Sequence, residues 1–320
     1  MPSDPGAASD RLRPDRHAAI LQRILADRLS RLAPAAAPRC FLLGGQPGAG
    51  KTGLRRAIEQ ALGDAKPLLI DPDELREYHP DYVALVAADP DHAASRVHPD
   101  AAQWADELRA AALARGVNVI VDGTLRDAAW AVEMARQATA TGYAVEVHAV
   151  AVPPEISAQG VRERFETSAA AAATWTGPEA QRPLPRTVPE AYQRAAYDGL
   201  PVALAALSGS GLVARLRIAR RDGTAVIDAI GPDKVAAGGA TTGPNPFAAA
   251  LQDERDRPWT GPELTAYRQS SDKILDLMRV RDAPDRQRAE TAATLGTTAA
   301  REQGRARAAW LRRVLDYEPP

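Results

Sequence analysis

The stretch GQPGAGKT, from Gly45 to Thr52, fits the pattern G-x-x-x-x-G-K-[ST] at every fixed position. Each residue type answers a need of phosphate chemistry. Gly45, Gly48 and Gly50 let the backbone turn tightly enough for several N–H groups to converge on phosphate oxygens, with Gln46, Pro47 and Ala49 completing the loop. A helix beginning near Lys51 adds its positive N-terminal end. Lys51 supplies a point charge for the β- and γ-phosphates, and the Thr52 hydroxyl is placed to ligate Mg2+. Lysine is otherwise found only at Lys66, Lys234 and Lys273, so an arginine-rich chain keeps one of its few lysines inside this loop. Together these residues imply a purine nucleoside triphosphate bound with Mg2+. The guanine-reading N-K-x-D segment of GTPases is absent, and no apolar strand ends in Asp-Glu as in helicases and motors.

Two other segments end an apolar run on a single carboxylate: LLIDPDELREYHPDY, from Leu68 to Tyr82, and VIVDGTLRD, from Val119 to Asp127. Ligands of open α/β sheets sit at the carboxyl ends of parallel strands, where both carboxylates fall. A small-molecule kinase needs this layout, with a carboxylate beside the acceptor hydroxyl and polar groups that orient the acceptor. Asp71 and Asp73 flank Pro72. Asp71 ends the strand and suits a helix cap or a metal-side carboxylate. Asp73 either points into the cleft or caps the short helix that follows.

The elements that must position these groups follow from periodicity. A short, wholly apolar run at 40–45 reads as a strand buried on both faces; 66–71 reads as a second buried strand, 117–124 as a third running into a polar end, and 143–153 as a fourth. Helical spacing is found over 16–32, 52–62, 100–115, 128–141, 155–173 and 189–207. This alternation predicts a P-loop kinase-like α/β fold, a parallel sheet flanked by helices. A terminal hairpin is expected over 212–230, turning at Asp222–Gly223. Residues 231–260 are rich in Gly, Pro and Ala and read as a linker or irregular wrap. Residues 262–281 and 285–316 read as a helical C-terminal extension. The domain reading is therefore a tail and amphipathic helix over 1–36, a kinase core over 37–232, a linker over 233–260 and the extension over 261–320.

The net charge of −1 gives no bulk reason to expect nucleic acid or an anionic membrane. The sole cysteine, Cys40, excludes an internal disulfide. The polar, Arg/Asp-rich start lacks the apolar core of a leader and no run of about 18 apolar residues occurs, so a cytoplasmic protein is expected. No Cys/His/carboxylate cluster has zinc-site spacing; His92 and His98 read as parts of a polar loop, and His79, before Pro80, as extended. Trp104, Trp130 and Trp175 are expected to pack in cores or clefts. Ser208 to Gly211 reads as a loop.

Taken together, FLLGGQPGAGKTGLRRAI, LLIDPDELREYHPDY, VNVIVDGTLRD, AVAVPPE with RERFE, RTVPEAY and the hairpin ARLRIARRDGTAV resemble the zeta toxin family in order and spacing, over at least residues 38–230. The resemblance implies a kinase that uses ATP and Mg2+ to phosphorylate a UDP-amino sugar, typically UDP-N-acetylglucosamine at the 3′-hydroxyl. Such a kinase is the toxin of a toxin–antitoxin pair and blocks cell-wall precursor synthesis. It also implies a small helical antitoxin partner. Residue by residue, Lys51 and Thr52 keep their phosphate and Mg2+ roles, and Asp73 matches the base that takes the acceptor proton. Asp106 matches a sugar-binding acidic residue, usually Glu in the family, with Glu107 as the alternative. Asp122 matches another family Glu, one methylene shorter here. Thr124 and Arg126 match substrate-orienting positions, and Arg164 and Arg186 match arginines that neutralise the triphosphate, Arg162 being the alternative to Arg164. Two other readings stand beside this one. One is a related kinase for a dinucleotide, free sugar or antibiotic. The other is an ATP-dependent binding module whose helical ends meet a protein partner.

Overall fold

The computed structural model describes residues 11–89, 92–178, 182–185, 187–239 and 243–315. The chain divides into two compact units, Met1–Gln46 with Gly50–Ala151 and Pro189–Leu251, and Pro47–Ala49 with Val152–Val188 and Gln252–Pro320.

The first unit is built on a six-stranded sheet. The apolar run that opens it forms β1 (Arg39–Gly44), buried from Cys40 onward. Around it lie β2 (Leu68–Ile70), β3 (Val119–Asp122), β4 (Ala144–Val150), β5 (Val213–Ala219) and β6 (Ala225–Ile230), in the order β2-β3-β1-β4-β5-β6. All pairs are parallel except β5–β6, which close as an antiparallel hairpin through a turn in which Gly223 takes φ 89°. The chain leaves β1 for the β2 side, returns to β3, and then crosses to β4 on the other side of β1.

Alternation divides the sheet between two layers. Cys40 and Leu42 of β1, Val119 and Val121 of β3, and Val145 and Val147 of β4 join one core with Trp104 and Leu108 of α5 (Ala93–Arg115), Met134 of α6 (Ala128–Ala140) and Leu204 of α8 (Glu190–Gly209). Phe41 points the other way and lines a hollow with Leu54 and Ile58 of α2 (Lys51–Leu62). Cys40 is 2% exposed, and burial pushes its thiol up to about 12. The amphipathic N-terminal segment forms α1 (Pro14–Arg28), whose Ile24 is fully buried in that same core. His17 stacks on Trp104 with 5.0 Å between ring centroids and bonds Asp100 at 2.8 Å. Burying Ile24 removes about 2 kcal/mol of apolar surface cost from the folded state.

The second unit is helical. Here α11 (Gly261–Val280) packs on α7 (Pro154–Ala173) and on α12 (Asp285–Leu315), around Trp259, Tyr267, Ile274, Met278 and Leu295. Thr260 and Glu263 start α11 with a reciprocal capping box. Glu166, wholly buried, is held by Arg281.

Several segments depart from the sequence reading. The 231–260 stretch is not irregular: it carries α9 (Pro232–Gly239) and α10 (Pro246–Asp256), each opening on a proline. At the first helical position the missing N–H costs nothing and the fixed φ favours the helix, so proline starts these helices rather than breaking them. The helix expected from residue 100 begins at Ala93 and passes through Pro99, which turns His92 into its cap residue and places His98 inside it. Short α3 (Pro72–Leu75) and α4 (Tyr82–Ala88) lie between β2 and α5. The Ser208–Gly209 pair belongs to the end of α8. Trp104 is fully buried in the core, whereas Trp130 and Trp175 are exposed. Among the described residues no helix is long and apolar enough to cross a membrane.

Candidate active site

Strand register assembles the site. Leu43 pairs with Asp122, and Ile70 pairs with Val121. One residue further along β2 therefore puts Asp71 beside Asp122, at the edge where β1 runs into the glycine loop. Three neighbouring strands deliver their carboxyl ends to one place.

The loop has the geometry its glycines are needed for. Gly48 and Gly50 take φ 79° and 98°, in the region that disfavours side chains. A Cβ at Gly48 would lie 2.1 Å from the Ser157 carbonyl oxygen of α7. Gly50 in left-handed conformation is the N-cap of α2, so Lys51 and Thr52 open the helix with its free N–H groups beside them. Lys51 curls back over the loop. Its Nζ donates to the Gly45 carbonyl at 2.9 Å and lies 3.8 Å from Asp122 Oδ1. Within the loop Gln46 and Ala49 are buried, while Thr52 is exposed.

Asp71, not Asp73, caps α3: its Oδ1 accepts from the Asp73 N–H at 2.9 Å. That removes the plain capping role from Asp73. Burial pushes the Asp71 carboxyl up to about 6, helped by the negative charges of Asp73 and Asp122. Burial also raises Asp122, opposed by the cations Lys51 and Arg55 and reinforced by Asp73 and Glu74. Asp73 stays half-exposed, its Oδ1 held by Arg76 at 2.7 Å. Arg76 in turn approaches His98 of α5, whose imidazole is lowered by burial and by this guanidinium.

After β3, the Thr124 carbonyl accepts the Gly45 N–H at 3.4 Å, tying the two strand ends together. Leu125, with φ 52°, is buried in the core. Arg126 is exposed, with its guanidinium 4.5 Å from the Tyr192 ring centroid, and its positive charge reaches His98. Asp106, exposed on α5, pairs with Arg109 at 3.2 Å. Glu107 faces α1, where it bonds His17 at 3.2 Å. Among the described residues no hydrogen bond or ion pair joins either to Lys51, Asp73 or Asp122. Arg162 is 3.7 Å from Glu166, while Arg164 is exposed on α7 of the second unit. Arg186 lies outside the described residues.

Thr52 offers a hydroxyl, and the strand ends around the loop offer only oxygen donors, chemistry that suits Mg2+ rather than a soft metal. Among the described residues no group of three or more His, Cys, Asp or Glu could hold a metal ion by itself. Mg2+ needs no such cage, since it keeps waters and phosphate oxygens and takes one or two protein ligands.

Sequence reasoning missed Arg55, Glu74 and Arg76. Arg55 lies four residues after Lys51 on the same helix face and reaches Glu74 at 3.8 Å. Arg76 lies three after Asp73, again one turn away. Helical spacing from the motif residues was the available signal.

The description "zeta toxin" attaches to a family profile that matches residues 23–230. Toxin zeta of Enterococcus hirae is 30% identical over 211 residues, 64% of this chain and 70% of that protein. Toxin zeta of Streptococcus pyogenes is 31% identical over 188 residues, 58% of this chain and 61% of that protein. Among solved structures, a chain described in the characterization of the PezAT chromosomal toxin-antitoxin system of Streptococcus pneumoniae superposes with a TM-score of 0.67 at 21% identity, covering 84% of this chain and 98% of that one. At that identity the likeness shows the fold, a P-loop, kinase-like one.

Proposed function

The chain belongs to the zeta toxin family, and on that premise we propose that it is a kinase transferring the γ-phosphoryl group of ATP to the 3′-hydroxyl of UDP-N-acetylglucosamine, and so acts in the cytoplasm as the toxin of a toxin–antitoxin pair. The observation that carries the proposal is the meeting of Lys51, Asp71, Asp73 and Asp122 where β1, β2 and β3 end at the glycine loop.

In this reading the loop amides from Gly45 to Thr52 and the Lys51 ammonium grip the β- and γ-phosphates. Lys51, now leaning on Gly45 and Asp122, exchanges those contacts for phosphate oxygens. Asp73 takes the proton of the acceptor hydroxyl while that oxygen attacks the γ-phosphorus. The bond to the β–γ bridging oxygen breaks, and ADP leaves. Arg76 fixes the carboxylate through Oδ1, limiting the motion the base must give up. Asp106, Asp122, Thr124 and Arg126 are assigned to holding and orienting the sugar, and Arg164 and Arg186 to neutralising triphosphate charge. Mg2+, held by Thr52 when bound, supplies further neutralisation of the phosphates. The solved structure that superposes on this chain comes from PezAT, described as a chromosomal toxin-antitoxin system. By likeness we assign this chain a small helical antitoxin that covers its nucleotide site.

The test is phosphotransfer in vitro. Purified wild type is expected to phosphorylate UDP-N-acetylglucosamine, and Asp73→Asn to lose roughly 100- to 10,000-fold in rate while still binding ATP. Transfer to a different acceptor alone would overturn the substrate and leave the kinase. The Asp106–Arg109 pair favours keeping that second reading, another small-molecule acceptor, since it engages a side chain assigned to the sugar.

A further inference from the structure

The triphosphate has a direction on this sheet. Lys51, which marks the γ end, leans toward β3 through its approach to Asp122. The strand order places β3 on one side of β1 and β4 and β5 on the other. A triphosphate whose γ-phosphate lies at the β3 side must leave the loop, with its nucleoside, toward β5. The residue waiting there is Arg221, in the turn that follows β5. A Cβ built on Gly50 would lie 2.9 Å from Arg221 Cγ and 3.3 Å from its Nε. A Cβ on Gly53, the residue after Thr52, would lie 3.8 Å from the Arg221 carbonyl oxygen. The stem of Arg221 therefore lies along the outer edge of the loop. Its side chain is exposed, and among the described residues no hydrogen bond or ion pair engages the guanidinium. The neighbouring cations of the hairpin are committed: Arg215 is bidentate to Asp228, and Arg217 donates to the Gly223 carbonyl.

We propose that Arg221 is the nucleoside-binding residue of the site, its planar guanidinium stacking on the purine of the bound triphosphate. The inference rests on reading Gly45 to Thr52 as the triphosphate loop and adds where the base goes. A guanidinium favours this over a simple charge contact because it is flat, weakly hydrated and stacks on aromatic faces, as an ammonium does not. No part of the γ-phosphoryl transfer is assigned to Arg221. The turn holds it firmly: Arg220 donates to the Thr224 carbonyl at 2.8 Å and the Asp222 carboxylate accepts the Thr224 N–H at 2.9 Å.

The test uses the full chain and calorimetric binding of two probes, ATP and inorganic tripolyphosphate, to wild type, Arg221→Ala, Arg221→Lys and Lys51→Ala. Arg221→Ala is expected to weaken ATP about 5- to 30-fold and to leave tripolyphosphate affinity as in wild type. Arg221→Lys is expected to behave like the alanine variant, since it restores charge but not the plane. Equal ATP affinity in wild type and Arg221→Ala, matching losses for ATP and tripolyphosphate, or rescue by lysine would each overturn the stacking role. Lys51→Ala separates the two claims: it is expected to weaken both probes. If it weakens neither, the triphosphate loop itself is misread and both proposals fall.

Discussion

Asp71 carries two duties that pull against each other. It caps α3 by accepting from the Asp73 N–H, yet burial and the charges of Asp73 and Asp122 push its pKa up to about 6. Because that value lies above the ordinary 3.8, the folded chain keeps a proton that the unfolded chain has released between roughly pH 4 and 6. Stability of the nucleotide-free protein is therefore expected to fall as pH rises through that window, with the full penalty present at pH 7. Asn caps helices as well as Asp does, so Asp71→Asn should keep the cap and lose the penalty. Thermal melts at pH 4.5 and 7 check this. The variant's advantage over wild type should be larger at pH 7 than at pH 4.5 by about 1–2 kcal/mol, or roughly 2–6 °C. A variant less stable at pH 7 would show that capping geometry outweighs the charge. At this scale Lys51, Thr52, Asp71, Asp73 and Asp122 were legible as residues at strand ends and in a loop pattern. Arg55 and Arg76 could have been found one helical turn after Lys51 and Asp73, whereas Arg221 could not, because in a chain so rich in arginine only tertiary contact separates it from other guanidinium groups.

Among the elements, α8 shows how a helix is shaped to fit the site. Gly199 sits in its middle, where glycine costs about 1 kcal/mol relative to alanine. A Cβ there would meet the Arg126 carbonyl oxygen at 2.1 Å and its Cα at 2.8 Å, which is backbone and gives way only at a cost. Overpacking of this kind costs roughly 1–3 kcal/mol, enough to cancel or exceed the propensity gain. Gly199→Ala is thus expected to lower the melting temperature and to displace Arg126. Gly296→Ala, in α12 with nothing within 4 Å of the added Cβ, should raise stability by up to about 1 kcal/mol and with it the melting temperature. Side-by-side melts of the two variants test the contrast. Periodicity found the strands and long helices because their apolar spacing is unmistakable. It lost α9 and α10 because their opening prolines and alanine-rich bodies look like a linker until something packs against them, as Val235, Phe247 and Leu251 do in the main core.

For the molecule as a whole, the N-terminal segment belongs to the body of the first unit and is not an appended lid. Ile24 is fully buried in the sheet's own core, and His17 bridges Asp100 and Glu107 of α5. Removing residues 1–36 is expected to abolish cooperative unfolding of that unit, and Ile24→Ala to cost about 2–5 kcal/mol, read from denaturant titration. A truncated chain that melts like the intact one would sink this view. The second unit has a core of its own around Trp259, Tyr267 and Ile274, a fact invisible in sequence because its partners, α7 and α11, are separated by most of a hundred residues. Cys40, sealed inside β1 with its thiol held far from the thiolate form, has a practical corollary. A cysteine introduced at exposed Thr224, in the turn beside Arg221, would be the one accessible thiol for a maleimide dye, so a single fluorophore could watch the edge of the loop without first replacing the native cysteine.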